Sequence, residues 1–255
     1  METRELLFEL ANPVRYDILR RIAEKPRHLT KLAVLVDASA PEVSRHMERL
    51  GAVGVAEKNA DGKYTIAPVG HIVLNCLPSL EFVSREFDYF SGHDLSLLPP
   101  SFISRLGDLG AGELRSGELG NIELVLGMLR RAEKKVRLLT VESFSTPSPD
   151  GGSPLASMQE RLDYRLVIDK RYNFPGTGGE PPDSLRELTR RVPRIPAASV
   201  VTECEAAVSF PARDGKLDYS AGFYSRDGRF MRWCSDLIEF LWREGSRITR
   251  TNIEC

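Results

Sequence analysis

Through the first fifty positions apolar residues return at three- and four-residue steps between short polar interruptions. Val14, Ile18 and Ile22 fall at i, i+4 and i+8; Asn12-Pro13 opens the run and Pro26 closes it, which predicts a capped helix with proline in its first turn. Leu32, Ala33, Leu35 and Val36 predict a second, short helix with Thr30 as its cap. After a turn at Asp37-Ala38, residues 39–50 carry Val43, Met47 and Leu50 as one narrow apolar stripe. Ser39 and Glu42 stand at capping-box spacing, and Pro41 falls where a missing N–H costs nothing. At about 100° per residue, Pro41, Ser44, Arg45 and Glu48 point away from the stripe, with Glu42 and Arg49 on its flank. Alternation then replaces the helical period. Residues 53–58 and 63–66 read as strands around Asn59-Ala60-Asp61-Gly62, and Asp-Gly is a favoured hairpin turn.

Three helices and a hairpin predict a winged helix-turn-helix over residues 1–67, in which the second helix of the pair reads DNA. The candidate DNA-binding residues are Thr30, Ser39, Pro41, Glu42, Ser44, Arg45 and Arg49 on the helices, and Lys58 and Lys63 beside the wing turn. Arg45 has the chemistry for a bidentate contact to guanine. Glu42 could accept from cytosine, although its capping duty alone explains it. Taken by itself, the stretch 39–50 also reads as a small solvated surface helix.

Pro68 opens a connecting helix over 68–92 with Val69, Ile72, Val73, Cys76, Leu80, Val83 and Phe87 at helical steps; Pro78 predicts a kink there, or two helices. From His93 to the end, helix and strand alternate. Helices are predicted over 100–109, 121–133, 183–192 and 229–245, and strands over 136–141, 162–168, 200–202, 206–210 and 217–224, with a hairpin across Arg213-Asp214-Gly215. The fold class is therefore mixed α/β: an N-terminal winged helix-turn-helix, a connecting helix and a C-terminal α/β effector or dimerisation domain. Two polar loops rich in Gly and Pro, 143–154 and 173–182, read as mobile flaps or simply as disordered surface.

Two groups of residues resemble a known family. Asn12-Pro13-Val14-Arg15-Tyr16-Asp17-Ile18-Leu19 and Val43-Ser44-Arg45-His46-Met47-Glu48-Arg49-Leu50, followed by a wing, resemble the arsenic-repressor type of winged helix. Ser91-Gly92-His93-Asp94-Leu95, Leu98-Pro99-Pro100 and Arg105-Leu106-Gly107-Asp108-Leu109 are similar to the start of the effector domain in archaeal regulators of the methanogenesis type. Asp214-Gly215-Lys216-Leu217-Asp218-Tyr219, Gly222-Phe223-Tyr224, Asp227-Gly228 and Trp233 resemble that family's closing hairpin and helix. The likeness spans most of the chain and is weakest over 144–196. It implies a transcription regulator that binds double-stranded DNA and carries an effector domain.

Charge adds a restriction. The chain holds 35 Lys and Arg against 36 Asp and Glu, so non-specific attraction to a polyanion is weak and binding must come from specific contacts and pairing of copies. Residues 13–31 are the local exception, with Arg15, Arg20, Arg21, Lys25, Arg27 and Lys31 against Asp17 and Glu24. Dimerisation through the connecting helix is expected, and a small-molecule effector would need a closed apolar cavity with a few polar groups among 136–141, 162–168 and 200–224.

Enzyme motifs are missing: no Gly-x-Ser-x-Gly, Walker lysine loop or H-E-x-x-H occurs, and His93-Asp94 is the one pair suited to acid–base chemistry, unless Asp94 caps the next segment. Cys76, Cys204, Cys234 and Cys255 are scattered without a C-x-x-C pair, so no zinc module is indicated, and neither cofactor nor metal is expected. A redox role for one thiol stays open, with Cys255 the most exposed choice. No run of 18 apolar residues and no secretory signal is present, so a cytoplasmic protein is expected. Two further readings remain: a constitutive repressor whose second domain only dimerises, and a nucleic-acid-processing enzyme that docks through a winged helix.

Overall fold

The computed structural model describes residues 2–141, 162–174 and 181–248. The chain divides into two compact units, Met1–Leu77 and Pro78–Cys255. The division falls inside the segment read as the connection.

The first unit is helical with a small sheet. Helix α2 (Pro13–Glu24) starts as its sequence dictates: the Asn12 side chain accepts the Arg15 N–H at 3.0 Å and Pro13 occupies the first turn. Its Ile18 and Ile22 are buried against Val43, Met47 and Leu50 of α4 (Ala40–Ala52) and Leu32 of α3 (Leu29–Leu35). Between α3 and α4, Asp37 takes φ 50°, the left-handed turn conformation that aspartate tolerates better than most side chains. Strands β1 (Ala56–Lys58) and β2 (Tyr64–Ile66) pair antiparallel as the wing, with the Asn59 N–H donating to Lys63 O at 2.8 Å across the turn.

Three features of this unit depart from the expectation. Thr30 does not cap α3; His28 holds that position without a side-chain bond, and Thr30 is exposed in the first turn. Arg27 bridges Tyr64 through paired backbone bonds of 3.0 and 2.8 Å, which adds a third edge to the wing sheet. An additional helix, α1 (Thr3–Leu10), packs Leu6 and Leu10 on the core.

Helix α5 (Pro68–Arg85) runs on through Pro78 as one element, and α6 (Phe87–Gly92) follows. Gly70 sits where α5 crosses the start of the wing: a Cβ there would lie 2.1 Å from the carbonyl oxygen of Val55, the acceptor of the Ala67 N–H.

The second unit is built on an eight-stranded sheet of order β10-β6-β5-β4-β7-β8-β9-β3. Its strands are β3 (Glu113–Ser116), β4 (Lys135–Thr140), β5 (Asp163–Asp169), β6 (Thr189–Val192), β7 (Ala198–Val201), β8 (Ala206–Ser209), β9 (Ala221–Ser225) and β10 (Ser246–Arg247). β4, β5 and β6 run parallel, and the other pairings are antiparallel. Short helices α7 (Pro100–Ile103) and α9 (Asp183–Arg186) border it. Successive residues of a strand face opposite sides, so the sheet carries two cores. Leu139, Val167, Val201, Val208 and Phe223 pack on α10 (Gly228–Glu244), whose Trp233 is fully buried and donates its Nε1–H to Phe102 O at 3.2 Å. Leu138, Leu166, Ile168 and Val200 pack on Met128 and Leu129 of α8 (Glu118–Arg131).

The expected helix over 183–192 is corrected. It ends at Arg186, and Thr189–Val192 is a strand beside β5, because parallel pairing buries Thr189 and Val192 completely or nearly so. The helix read over 100–109 is likewise a single turn of α7 followed by a 3-10 stretch, Leu106–Ala111. Strands β3 and β10 were not foreseen. Loop 143–154, most of loop 173–182 and Cys255 lie outside the described residues.

Replacing Gly70 by Ala tests the crossing. Helix propensity alone favours Ala by up to about 1 kcal/mol, but the clash with Val55 forces helix and wing apart at a net loss of about 2 kcal/mol or more. Both tryptophans, Trp233 and Trp242, lie in the second unit, so their fluorescence reports that unit while far-UV circular dichroism reports both. The variant should lower the dichroism transition in urea and leave the fluorescence transition in place; equal or greater stability would refute the close packing.

Candidate nucleic-acid interface

Helix α4 owes its setting to its two ends. At the start the Glu42 carboxylate accepts the Ser39 N–H at 2.9 Å and the Ser39 hydroxyl at 2.7 Å. Those bonds, the hydroxyl first, hold the Glu42 carboxyl below the usual carboxylate range, so it stays charged at the positive end of the helix. Along the inner face Val43, Met47 and Leu50 are buried, which turns Pro41, Glu42, Arg45 and Glu48 to solvent.

Arg45 and Arg49 look alike in the sequence and differ in the structure. The Arg49 guanidinium is bound to Glu9 of α1, with Nη2 to Oε1 at 2.7 Å and Nε to Oε2 at 2.9 Å. Glu9 also meets the buried Arg15, whose Nε lies 2.9 Å from Oε2 and donates to Glu9 O at 2.8 Å. Among the described residues the Arg45 guanidinium has no hydrogen bond or ion pair, and it is exposed. Its donors are free for a partner outside the chain. Between the two, His46 is half-buried; burial first, then the positive charge of Arg15, pushes its pKa down, so it is neutral at pH 7 and adds no charge to the face.

The remaining candidates fall around this helix. Ser44 is half-buried, its hydroxyl 3.5 Å from Glu48 Oε1, a weak contact that leaves it able to turn outward. Thr30 is exposed in the first turn of α3, and Lys31 beside it is exposed too. On the wing Lys58 is exposed with its ammonium 5.7 Å from the Tyr64 ring, and Lys63 is half-buried with its N–H held by Asn59 Oδ1 at 2.9 Å. Several cations of the basic stretch are occupied within the unit: Arg27 pairs with Glu24 at 2.7 Å, and Arg21 with Asp17 at 3.2 Å. The Glu9 anchor was not legible as such, because a lone glutamate in a polar N-terminus carries no signal of its distant partners.

In the second unit the acid–base pair read at His93-Asp94 does not form. Asp94 accepts the Ser96 N–H at 2.8 Å and so caps the next segment. His93 stacks on Tyr89 with ring centroids 3.7 Å apart and directs Nε2 to Asp218 at 3.2 Å. Between α8 and the sheet lies a cavity of about 60 Å³, lined by Ile122 and Val125 of the helix and by Leu138, Val200, Ala207 and Ser209 of the strands, among others. It shares Leu138, Leu139 and residues of 200–224 with the cavity expected from the sequence, but it is half open rather than closed, α8 forms one wall and β5 takes no part. No helix among the described residues is long and apolar enough to cross a membrane.

Comparison with known proteins gives no family. No family model and no curated protein matches the chain, so the resemblance to methanogenesis-type regulators rests on the residues quoted above. Among solved structures the chain is similar to TrmBL2, described as an archaeal chromatin protein with a novel mode of DNA binding: TM-score 0.43, 12% identity, 92% of each chain covered. It is also similar to an IclR homolog from Microbacterium sp. strain HM58-2, with TM-score 0.27, 12% identity and coverage of 92% and 97%. CalO1, a methyltransferase of calicheamicin biosynthesis, matches at TM-score 0.25 and 12% identity over 77% of this chain and 65% of its own. Likenesses this distant assign no activity.

The Glu9 anchor has a pH dependence whose sign is fixed. The Arg49 hydrogen bonds depress the folded-state pKa of Glu9 below its ordinary value. The stability it contributes is thus fully present above the unfolded carboxylate pKa and is lost as pH falls through the folded value. Dichroism melts from pH 5.5 down to 3 should show the wild type losing its advantage over Glu9→Gln as the carboxylate protonates. A gap between the two that is constant over that range would show that the ion pair does not hold α1 to α4.

Proposed function

We propose that the protein is a sequence-specific, DNA-binding transcription regulator that responds to a ligand through its second unit. The observation that carries this reading is the set of α4: a capped helix, fixed by three buried residues, that offers an unpaired arginine to solvent, in a unit whose wing carries Lys58 and Lys63. A helix of this kind fits the major groove, where an arginine fork matches O6 and N7 of guanine. Arg45 is assigned to that contact, Ser44 to a neighbouring base or phosphate, and Pro41 to apolar contact at the groove floor. Ser39 and Glu42 hold the helix start. Arg49, tied to Glu9, orients the helix from its other end. Thr30 and Lys31, near the N-terminus of α3, and Lys58 and Lys63 on the wing are assigned to phosphates.

A winged helix with so little net charge makes few phosphate contacts, so two copies on half-sites about 10 base pairs apart, or a multiple of that, are expected to bind together. The exposed apolar residues Val69 and Ile72 of α5, with the exposed Cys76 at helical spacing from them, support this part of the helix as the joining surface. The cavity in the second unit favours a ligand-responsive protein over one whose second unit only dimerises. A ligand would act through its differential affinity for the two arrangements of the reading helices, a coupling of typically 1–3 kcal/mol.

Arg45→Ala tests the reading contact. Loss of a bidentate guanine contact worth roughly 1–3 kcal/mol weakens specific binding about ten- to a hundredfold while the melting temperature stays near that of the wild type. Unchanged affinity in a mobility-shift titration on the selected site would remove Arg45 from the interface. Neutralising Lys58 and Lys63 together tests the wing. Each phosphate contact contributes close to one unit to the slope of log affinity against log salt, so the double variant should flatten it by up to about two. Identical slopes would place the wing off the DNA.

A further inference from the structure

The cavity under α8 has a cause in the strand register. Val200, Ala207 and Tyr224 stand side by side across β7, β8 and β9, and the next row toward the strand ends is Ala198 and Ser209, with Gly222 on β9 beside Ser209 by continuation of the same register. Three adjacent strands thus offer a methyl, a hydroxymethyl and a hydrogen, whereas the neighbouring row has the larger Val200 and Tyr224 on its two outer strands. The first turns of α8 pass over that row with Asn121, Ile122 and Val125, but Leu119 points to solvent at 79% exposure, and the helix reaches full burial only at Met128 and Leu129. The small row leaves a gap beneath the first turns of the helix.

Its chemistry narrows what it can hold. The pocket is half open to solvent. About 60 Å³ is several times the roughly 10–15 Å³ that one water needs by the same measure. The lining has no charged side chain and is largely apolar, and water is poorly held where it finds fewer than two polar partners. One polar group stands out. The Ser209 side chain faces the cavity, the residue is 91% buried (9% exposed), and among the described residues its hydroxyl has no hydrogen-bond partner. The other serine of the lining, Ser199, is satisfied by donating to Ala207 O at 2.9 Å.

We propose that this cavity binds a small uncharged molecule with an apolar body about the size of one ring and a single hydrogen-bonding group that meets the Ser209 hydroxyl. The Ser209 hydroxyl, which has no hydrogen-bond partner among the described residues, would gain one from such a ligand, whereas a carboxylate or ammonium would be desolvated without a counter-charge. As a binding site the cavity stands by itself; as the effector site of a regulator it rests on the function proposed above.

The test uses the full chain with phenol as the probe and toluene and benzoate as its apolar and charged counterparts. Binding is read by isothermal titration and by the tryptophan-reported melting transition, which follows the second unit. Phenol and toluene should raise that transition with concentration and benzoate should not. Ser209→Ala should weaken phenol about five- to tenfold and leave toluene unchanged. Ala198→Leu, which fills the small row, should abolish binding of both while the ligand-free protein melts at or above the wild-type temperature; where leucine prevents folding, Ala198→Val serves the same purpose with a partial loss. No phenol binding to folded wild type at 10 mM, equal binding of benzoate, or undiminished binding by the folded cavity-filling variant overturns the proposal. DNA affinity, measured separately with and without phenol, keeps the two readings apart. A chain that binds phenol but no specific DNA contradicts the regulator and supports the cavity site; one that binds DNA but not phenol does the reverse.

Discussion

A helix of 3.6 residues per turn has one rotational setting that buries positions four and seven residues apart, and α4 is held in it by Val43, Met47 and Leu50. Everything else at the interface depends on that constraint. With the stripe inward, Arg45 cannot be hidden, and Glu42 lies where it can bond back to Ser39. Arg49 comes round far enough to meet Glu9. That pair does more than add attraction: Arg15 and Glu9 are buried together, and removing one partner of a buried pair leaves an uncompensated charge. Helix α1 is therefore fastened to α4 by charge as well as by Leu6 and Leu10, and one of two similar arginines is occupied while the other stays unpaired.

Much of the first unit was legible because its signals are local. A cap, a proline in the first turn and a stripe at i, i+4 and i+7 each act within a few residues, and α2, α4 and the wing turn formed where they pointed. The misreadings come from interactions that span the chain. Helix α1 is eight residues long, and its partners Arg15 and Arg49 lie 6 and 40 positions away. The third edge of the wing is one residue, Arg27, fixed by Tyr64. In the second unit Thr189 to Val192 contain Arg190 and Arg191, which suit a helix, yet the neighbouring strand decides the outcome because pairing buries the threonine and valine between them. The candidate site divided the same way. Side-chain type and helical phase placed Arg45 and Ser44 together on one outer face, but which arginine would be free was set by Glu9, and no short-range pattern reports that.

The second unit follows a rule that makes its cavity intelligible. Alternating residues of β4 and β5 feed two cores, so the bulk of Leu139 and Val167 goes to α10 and that of Leu138, Leu166 and Ile168 to α8. The α10 side closes completely around Trp233. On the α8 side the strands that continue the sheet, β7 to β9, carry small residues in one row, and a gap remains between that row and Ile122 and Val125 of the helix. A well-packed face and a hollow face on one sheet suit a domain in which one half maintains the fold and the other receives a ligand.

The central claim is that α4 enters the major groove with Arg45 on a guanine. Selection of a site from random duplexes, followed by interference mapping with guanines methylated at N7, tests it most directly, since that methyl group stands in the major groove where an arginine fork would bind. The account predicts that methylation of one or two guanines per half-site abolishes binding by the wild type, and that Arg45→Ala loses that sensitivity at the same guanines. Binding indifferent to N7 methylation, or sensitivity unchanged in Arg45→Ala, would contradict it.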